Sequence, residues 1–382
     1  MDFQLTEEQK LIRDTVRDFA QKEIAPRARE MDEKGEFPWE IIRKMAELGF
    51  MGLPIPQEYG GAGADTVSFA LLMEEIARAS GSIALTLDAH TSLACEPLLL
   101  FGTEEQKQKY LVPLARGEKI GALALTEPGG GSDLAGAVKT TAAWDGQEWV
   151  INGSKTFITN GSVADVVIVL AVTDPAKGKH GFSQLIVETG TPGFRVGKDE
   201  DKMGLRASVT TQLFFEECQV PADNLLGAEG EGLKQSLIVL DGGRIVIAAL
   251  AVGLAQAAFE AAVRYAKERT AFGGPLADLQ AIQWKLADMA TEIEAARLMV
   301  YHAAWLKDHG RPFKKEAAMA KLFASEMAER ACFEAIQIHG GYGYIKEYDV
   351  ERYYRDNRLT TIGEGTSEIQ RLVIAREVLG KL

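Results

Sequence analysis

"TTIGEGTSEIQRLVIAREVLG" (360–380) sets a single carboxylate, Glu364, between Gly363 and Gly365, directly ahead of a helical pattern. Glycine on both sides lets the chain approach another molecule closely or take up unusual φ/ψ. Behind it, Ser367-x-x-Gln370 has the form of a capping box, and Leu372, Val373 and Ala375 begin an apolar stripe. Glu364 is either a carboxylate offered to a ligand on bare backbone or a surface acid favoured by the helix's positive end. In "LALTEPGGGSDLAG" (123–136) three consecutive glycines expose N–H groups that suit a phosphate or the edge of a flat ring, with hydroxyls from Thr126 and Ser132. A flexible linker has a similar composition, but it needs no Pro128 followed by a hydroxyl at a set distance. In "INGSKTFITNG" (151–161) Phe157 and Thr159 share a strand face. A heteroaromatic ring can stack on the first and hydrogen-bond to the second, although Phe157 suits a core equally well.

"LDGGRIVIAA" (240–249) breaks a long helical pattern with two glycines, which cost roughly 1 kcal/mol each against Ala. Asp241 and Arg244 share a helix face, but such a pair contributes only about 0.2–0.5 kcal/mol. Close packing of something against a thinned helix explains the glycines better, with Asp241 and Arg244 hydrogen-bonding to it. "KERTAFGGPLADLQ" (267–280) and "QIHGGYGY" (337–344) end two long helices in glycine-rich turns. Arg269 is favoured near a helix C-terminus on dipole grounds alone, and Gly340-Gly341 is an ordinary C-cap.

The elements that must hold these stretches fall into three zones. Residues 1–120 carry helical periodicity, as in "TEEQKLIRDTVRDFAQKEIAPRAREMDE" and "DTVSFALLMEEIARAS". From 121 to 228 the period shortens to strands, with an Asp145-Gly146 hairpin signal and the runs "ADVVIVLAVTD", "GFSQLIVETG" and "VTTQLFFEECQVP". This zone reads as an antiparallel β domain. Residues 229–382 return to helices, three of them about 30 residues long, and with the closing helix they make a four-helix bundle. The fold class is mainly α with a central β domain, in segregated layers and not alternating βαβ units. No Rossmann glycine pattern follows a strand, and P-loop spacing is absent.

A net charge of −13 over 382 residues disfavours nucleic-acid binding. Three distant cysteines fit a reducing compartment, and five scattered histidines lack metal-ligand spacing, so no metal is expected. The N-terminus has no apolar signal core, and runs such as "IVIAALAVGLA" (245–255) are shorter than a membrane span. The expectation is a cytoplasmic protein without membrane insertion.

In order, "EPGGGSD", "NGSKTFITNG", "KMGLRAS", "LDGGR", "ERTAFGGPLADLQ", "QIHGGYGY" and "EGTSEIQRLVIAR" resemble the acyl-CoA dehydrogenase family over essentially the whole chain, most nearly its short-chain, butyryl-CoA branch. The resemblance implies an N-terminal helical domain, a β domain and a C-terminal four-helix bundle in a homotetramer, a dimer of dimers. It also implies FAD, an acyl-CoA substrate, an electron-transfer flavoprotein as acceptor, and a place in fatty acid β-oxidation. By matched position, Leu123, Thr126, Gly131, Ser132, Phe157 and Thr159 are expected at the flavin, and Thr366 and Glu368 near the closing helix. Arg269, Phe272, Gln280, Gln337, Gly340 and Gly341 are expected on the neighbouring subunit's FAD. Ser132, Asp241, Arg244 and Gly365 are expected at the acyl-CoA.

The resemblance also makes Glu364 the catalytic base that removes the thioester's α-proton, while the β-hydride leaves to the flavin on the opposite face. Its backbone N–H and a flavin ribityl hydroxyl would hold the substrate carbonyl. Other branches take the base from the residue before the helix arginine, which here is Gly243. Two departures bear on specificity: Gly363 stands where an aromatic is common, and Phe157 where tryptophan is common. The alternatives are an acyl-CoA oxidase using O₂ and a non-catalytic acyl-CoA-binding protein on the same fold. The first is disfavoured by a chain that ends straight after the closing helix, the second by retention of Glu364.

Overall fold

The computed structural model describes residues 4–380; the outermost residues of the first and last zones lie outside that range. Among the described residues eight α-helices precede the sheet: α1 (Glu7–Phe19), α2 (Ala28–Lys34), α3 (Trp39–Glu47), α4 (Thr66–Ala79), α5 (Gly81–Asp88), α6 (Glu96–Phe101), α7 (Glu104–Gln106) and α8 (Val112–Ala115). Thr6 and Gln9 form a reciprocal capping box at α1, and the Asp65 side chain caps α4 by accepting from Ser68 N–H at 2.7 Å. Helix α4 is buried on nearly all sides, and its acids are paired: Glu74 with Arg297 at 2.9 Å, Glu75 with Arg17 at 2.5 Å. A π-helical stretch, Ala89–Cys95, joins α5 to α6.

The eight-stranded sheet runs β6-β7-β3-β2-β4-β5-β8, with β1 also on β4. Its strands are β1 (Gly121–Ala124), β2 (Thr141–Trp144), β3 (Glu148–Thr159), β4 (Val166–Val172), β5 (Phe182–Glu188), β6 (Phe194–Asp199), β7 (Thr210–Pro221) and β8 (Leu225–Leu226). Strands β2 and β3 pair across the expected Asp145-Gly146 turn. The sheet is not antiparallel throughout: β4 meets β1, and at one residue β2, in parallel. The reason is connectivity, since β1 arrives from the helical zone and reaches β4 only after α9 (Leu134–Ala137) and the β2–β3 hairpin. Strand β4 is apolar on both faces because both are covered. Val167 and Val169 pack within the sheet's own core, while Val166 and Ile168 pack against Tyr110, Leu111 and Leu114.

Helices α10 (Gly232–Glu268), α11 (Gln280–Asp308), α12 (Lys314–His339), α13 (Val350–Asn357) and α14 (Ser367–Leu379) complete the chain. Helix α10 is long and apolar enough to cross a membrane by length and composition, yet its apolar stretch is mostly buried as a core helix. Between α10 and α11 the two-residue strands β9 (Thr270–Ala271) and β10 (Gly274–Pro275) form a hairpin. Its two loop residues, Phe272 and Gly273, have φ +54° and +90°, both left-handed as a type I′ turn demands. At α14 the cap is Thr366, whose hydroxyl accepts from Ile369 N–H at 3.3 Å; Ser367 lies one residue inside the helix. Gln370 does not close a capping box but donates to the carbonyl oxygens of Glu364 (3.3 Å) and Gly365 (2.8 Å). The stripe starting at Leu372 is largely exposed in the single chain.

Candidate active site

Glu364 and Gly365 have φ of +52° and +91°. A left-handed glutamate is uncommon, and such conformations gather at functional sites. Three contacts hold it. Gln370 ties down the two carbonyls, and the buried Lys321 of α12 donates Nζ to the Gly365 carbonyl at 2.8 Å. Burial lowers the Lys321 ammonium to about 8, against the pull of Glu364. The third is the recess in α10. A Cβ on Gly243 would overlap Glu364 Oε2 and lie 3.3 Å from Leu93 Cδ2. A Cβ on Gly242 would lie 2.9 Å from Lys307 Nζ, which pairs with Glu96 at 2.6 Å. The paired glycines therefore thin α10 where charged groups of the chain itself, including Glu364, press against it. The residue preceding Arg244 and the Glu364 carboxylate thus meet at one point.

Arg244 is buried and bonded to Asp241, while its Nε has no partner. Burial raises the Asp241 carboxyl above its ordinary value, and Arg244 opposes the shift. Glu364 Oε2 is likewise buried without a donor. Asp88, at the end of α5, lies beside Glu364 with both carboxyl oxygens unpartnered.

The triple-glycine loop is folded back by its own glutamate. Glu127 accepts from Lys139 N–H (2.7 Å), Thr140 N–H (2.9 Å) and Lys155 Nζ (2.8 Å), and Lys155 also donates to the Leu125 carbonyl. Lys155 is fully buried, which brings its ammonium down to about 8 even with Glu127 bound. Thr156 N–H donates to the Thr126 carbonyl at 2.9 Å, joining the loop to β3 next to Phe157. A bulge between Lys155 and Ile158 puts Phe157 at φ +56° and leaves it 66% exposed, so it is not a core residue. Leu123 and Thr159 are half-buried; Gly131 and Ser132 are exposed.

At the far end of the bundle, Tyr265, Arg269, His339, Gly340, Gly341 and Tyr342 are among the residues lining a cavity of about 460 Å³. Arg269 lies over the Tyr342 ring at 5.6 Å, and no atom comes within 4 Å of a Cβ placed on Gly340 or Gly341. Gln280, Gln337 and Phe272 are exposed, Phe272 to 95%. The structure thus sets Glu364 against Gly243 of α10, the residue before Arg244, which is paired with Asp241, and separately gathers Arg269, Gly340 and Gly341. Thr366 is occupied as the helix cap, and Glu368 is exposed on the first turn behind it. Sequence reasoning missed Asp88, Lys155 and Lys321, all buried charges on elements distant in sequence. The one signal available for Asp88 was an acid within the otherwise uncharged run "GSIALTLDAHTSLA".

Three family models match the chain: acyl-CoA dehydrogenase, N-terminal domain, over residues 6–118, the middle domain over 122–218 and the C-terminal domain over 230–379. The chain is 60% identical over 380 residues to the probable acyl-CoA dehydrogenase YngJ of Bacillus subtilis (strain 168), covering 99% of this chain and 100% of that one. Among solved structures it is similar to butyryl-CoA dehydrogenase from Megasphaera elsdenii, with TM-score 0.97 and 48% identity over 99% and 100% of the two chains. It is also similar to a chain from a structural study of the electron transferring flavoprotein of Acidaminococcus fermentans and flavin-based electron bifurcation. There the TM-score is 0.98 and the identity 50%, over the whole of both chains.

Proposed function

The chain belongs to the acyl-CoA dehydrogenase family of flavin-dependent oxidoreductases, and from that premise we propose that Glu364 is the base that converts an acyl-CoA to its trans-2-enoyl-CoA. The carrying observation is the buried, unpartnered Oε2 of Glu364, set on the glycine-bared face of α10 at Gly243, next in sequence to Arg244. Glu364 takes the α-proton. Its own N–H donates to the thioester carbonyl, where charge develops as that proton leaves. Lys321 and Gln370 keep the loop from yielding when substrate enters, and Asp241 with Arg244 and Ser132 contacts the acyl-CoA. Gly363 leaves room beside the base: the nearest atoms to a Cβ there would be those of Leu359, at an ordinary 3.5 Å.

The residues fit FAD. Thr126, Gly131, Ser132 and Leu123 with Thr159 offer hydrogen-bonding groups and an apolar edge, and the exposed, left-handed Phe157 offers a ring face. Arg269 with the open Gly340-Gly341 backbone suits a pyrophosphate, and Phe272, Gln280, Gln337, Thr366 and Glu368 complete the proposed contacts. When bound, the flavin supplies the acceptor for the β-hydride, and its electrons go on to an electron-transfer flavoprotein. The Arg269 cavity lies at the C-terminal end of α10, more than twenty residues along the chain from Gly243, and by the family resemblance the FAD it holds is a neighbouring subunit's, in a homotetramer. Exposed apolar side chains on the bundle, Trp284, Leu298, Phe333 and Leu379, support that assembly.

Anaerobic titration of the purified protein with butyryl-, octanoyl- and isovaleryl-CoA, following flavin absorbance, tests the reading. Bleaching by one of them with enoyl-CoA formed is expected, and Glu364→Gln should keep FAD and ligand yet lose turnover by orders of magnitude. Near-normal turnover in that variant would sink the assignment of the base.

A further inference from the structure

Asp88 closes α5 and is completely buried. It lies beside Glu364, and as two ionised carboxylates the pair would be unsatisfied: both Asp88 oxygens and Glu364 Oε2 are buried acceptors that make no hydrogen bond. Apart from Arg244 Nε, which has no partner, the surrounding charged groups are committed elsewhere or exposed. Glu96 of α6 is paired with Lys307 of α11 at 2.6 Å, and Asp241 is paired with Arg244 on α10. Lys321 of α12 gives its Nζ to the Gly365 carbonyl, and Glu368 of α14 is exposed. The Ser92 hydroxyl also adjoins Asp88 and favours its charged form, but by less than burial and Glu364 oppose it. One proton shared between the carboxyls turns orphaned acceptors into a hydrogen bond, and two like charges in contact cannot both ionise. Burial first, and then Glu364, push the Asp88 carboxyl well above the ordinary carboxylate range. The shared proton belongs with Asp88, the carboxyl that is fully buried with both oxygens unpartnered.

We propose that Asp88 is a positioning residue for the base: its protonated carboxyl donates a hydrogen bond to the Glu364 carboxylate and holds it in the recess left by Gly243. This rests on the reading of Glu364 as the base. Asp88 touches neither the reacting carbon nor the thioester in this scheme; it fixes where the basic oxygens wait. Loss of its proton at alkaline pH would set two anions against each other and drive Glu364 out of the recess. Asparagine at 88 keeps an N–H donor that does not titrate, and leucine keeps the volume without the donor.

The test compares wild-type, Asp88→Asn and Asp88→Leu holoenzymes by kcat and KM across pH, and by the infrared C=O band of a protonated carboxyl at neutral pH. Asp88→Leu should lower kcat about tenfold with little change in KM, the scale of one hydrogen bond to a charged group. Asp88→Asn should recover most of that loss and abolish the alkaline decline of kcat, and its spectrum should lack the wild-type band. Wild-type kcat and pH profile in Asp88→Leu would overturn the proposal, as would a wild-type enzyme without the band. If the leucine variant does not fold, an unchanged alkaline limb or a retained band in Asp88→Asn overturns it instead. Inactive Glu364→Gln beside an Asp88→Asn enzyme identical to wild type would refute the role of Asp88 alone. Active Glu364→Gln would refute the base.

Discussion

Gly243→Ala should make the protein no less stable and much less active. The added methyl would overlap Glu364 Oε2 and touch Leu93 Cδ2 at 3.3 Å, with no backbone atom among its nearest neighbours outside the helix. A carbon–oxygen contact settles near roughly 3.3 Å, so the carboxylate must withdraw by about 1 Å. Glu364 can do so by turning its side chain, and Ala in place of Gly in a helix interior favours the folded state by about 1 kcal/mol. Unfolding stability should therefore stay within about 1 kcal/mol of wild type or rise slightly. A base displaced by about 1 Å loses on the order of 100-fold in rate. Single-turnover bleaching of the flavin, read beside a urea midpoint and the FAD content, separates the two effects. Gly242→Ala is the control, because its methyl would press on Lys307 Nζ at 2.9 Å and not on the base. Both methyls meet the ends of flexible side chains, so Gly242→Ala should keep its stability to a similar degree and retain more of the bleaching rate. A folded, FAD-replete Gly243→Ala enzyme that bleaches at the wild-type rate would refute the geometry from which Glu364 is argued.

Lys155→Met should cost about 3–5 kcal/mol, because it strands Glu127 as a buried, partly uncompensated charge, and it should loosen FAD by freeing the Leu125 carbonyl. A change in the denaturant midpoint worth less than about 1 kcal/mol would show that the ion pair contributes little. His90 is neutral and buried, donating Nε2–H to the Leu114 carbonyl at 3.0 Å while Nδ1 accepts from Gly121 N–H at 3.1 Å. Burial lowers it to about 4. Its stabilisation is fully present above the unfolded value near 6.5 and is lost as pH falls towards 4, by up to about 3 kcal/mol. Urea midpoints of wild type and His90→Asn should therefore converge between those pH values, and a pH-independent gap would contradict the neutral, bonded imidazole.

Local pattern made much of this fold legible before any coordinates. The long helices and the Asp145-Gly146 hairpin depend on neighbours in sequence, so they could be read there, and the paired glycines at 242 and 243 showed that something packs on α10 but not that it is Lys307, Glu96 and Glu364. The cap at α14 was misplaced by one residue because Thr366 and Ser367 are both good caps. Gln370 satisfies the capping-box pattern while its amide is drawn to the Glu364 and Gly365 carbonyls. The parallel pairing of β1 with β4 leaves no local trace, since strand direction within a sheet is set by the path of the chain between the strands. The buried charges were least visible of all. Asp88, Lys155 and Lys321 each look like one polar residue in an ordinary helix or strand until partners from other elements arrive.

Folded chains leave few buried polar groups unpaired, and here many of the exceptions meet at one junction. Both Asp88 oxygens, Ser92 Oγ, Arg244 Nε, Glu364 Oε2, Ser367 Oγ and Gln370 Oε1 all lie on α5 and the π-helical stretch after it, on α10, or in the 364–370 segment. The same segment holds a glutamate at φ +52°, and Phe157 and Phe272 stand left-handed and exposed. Each of these features costs stability in the isolated chain. Scattered, they would mark poor packing. Concentrated where an acyl-CoA, a flavin and a neighbouring subunit are proposed to bind, they are what a site looks like when its groups are built for partners and not for one another.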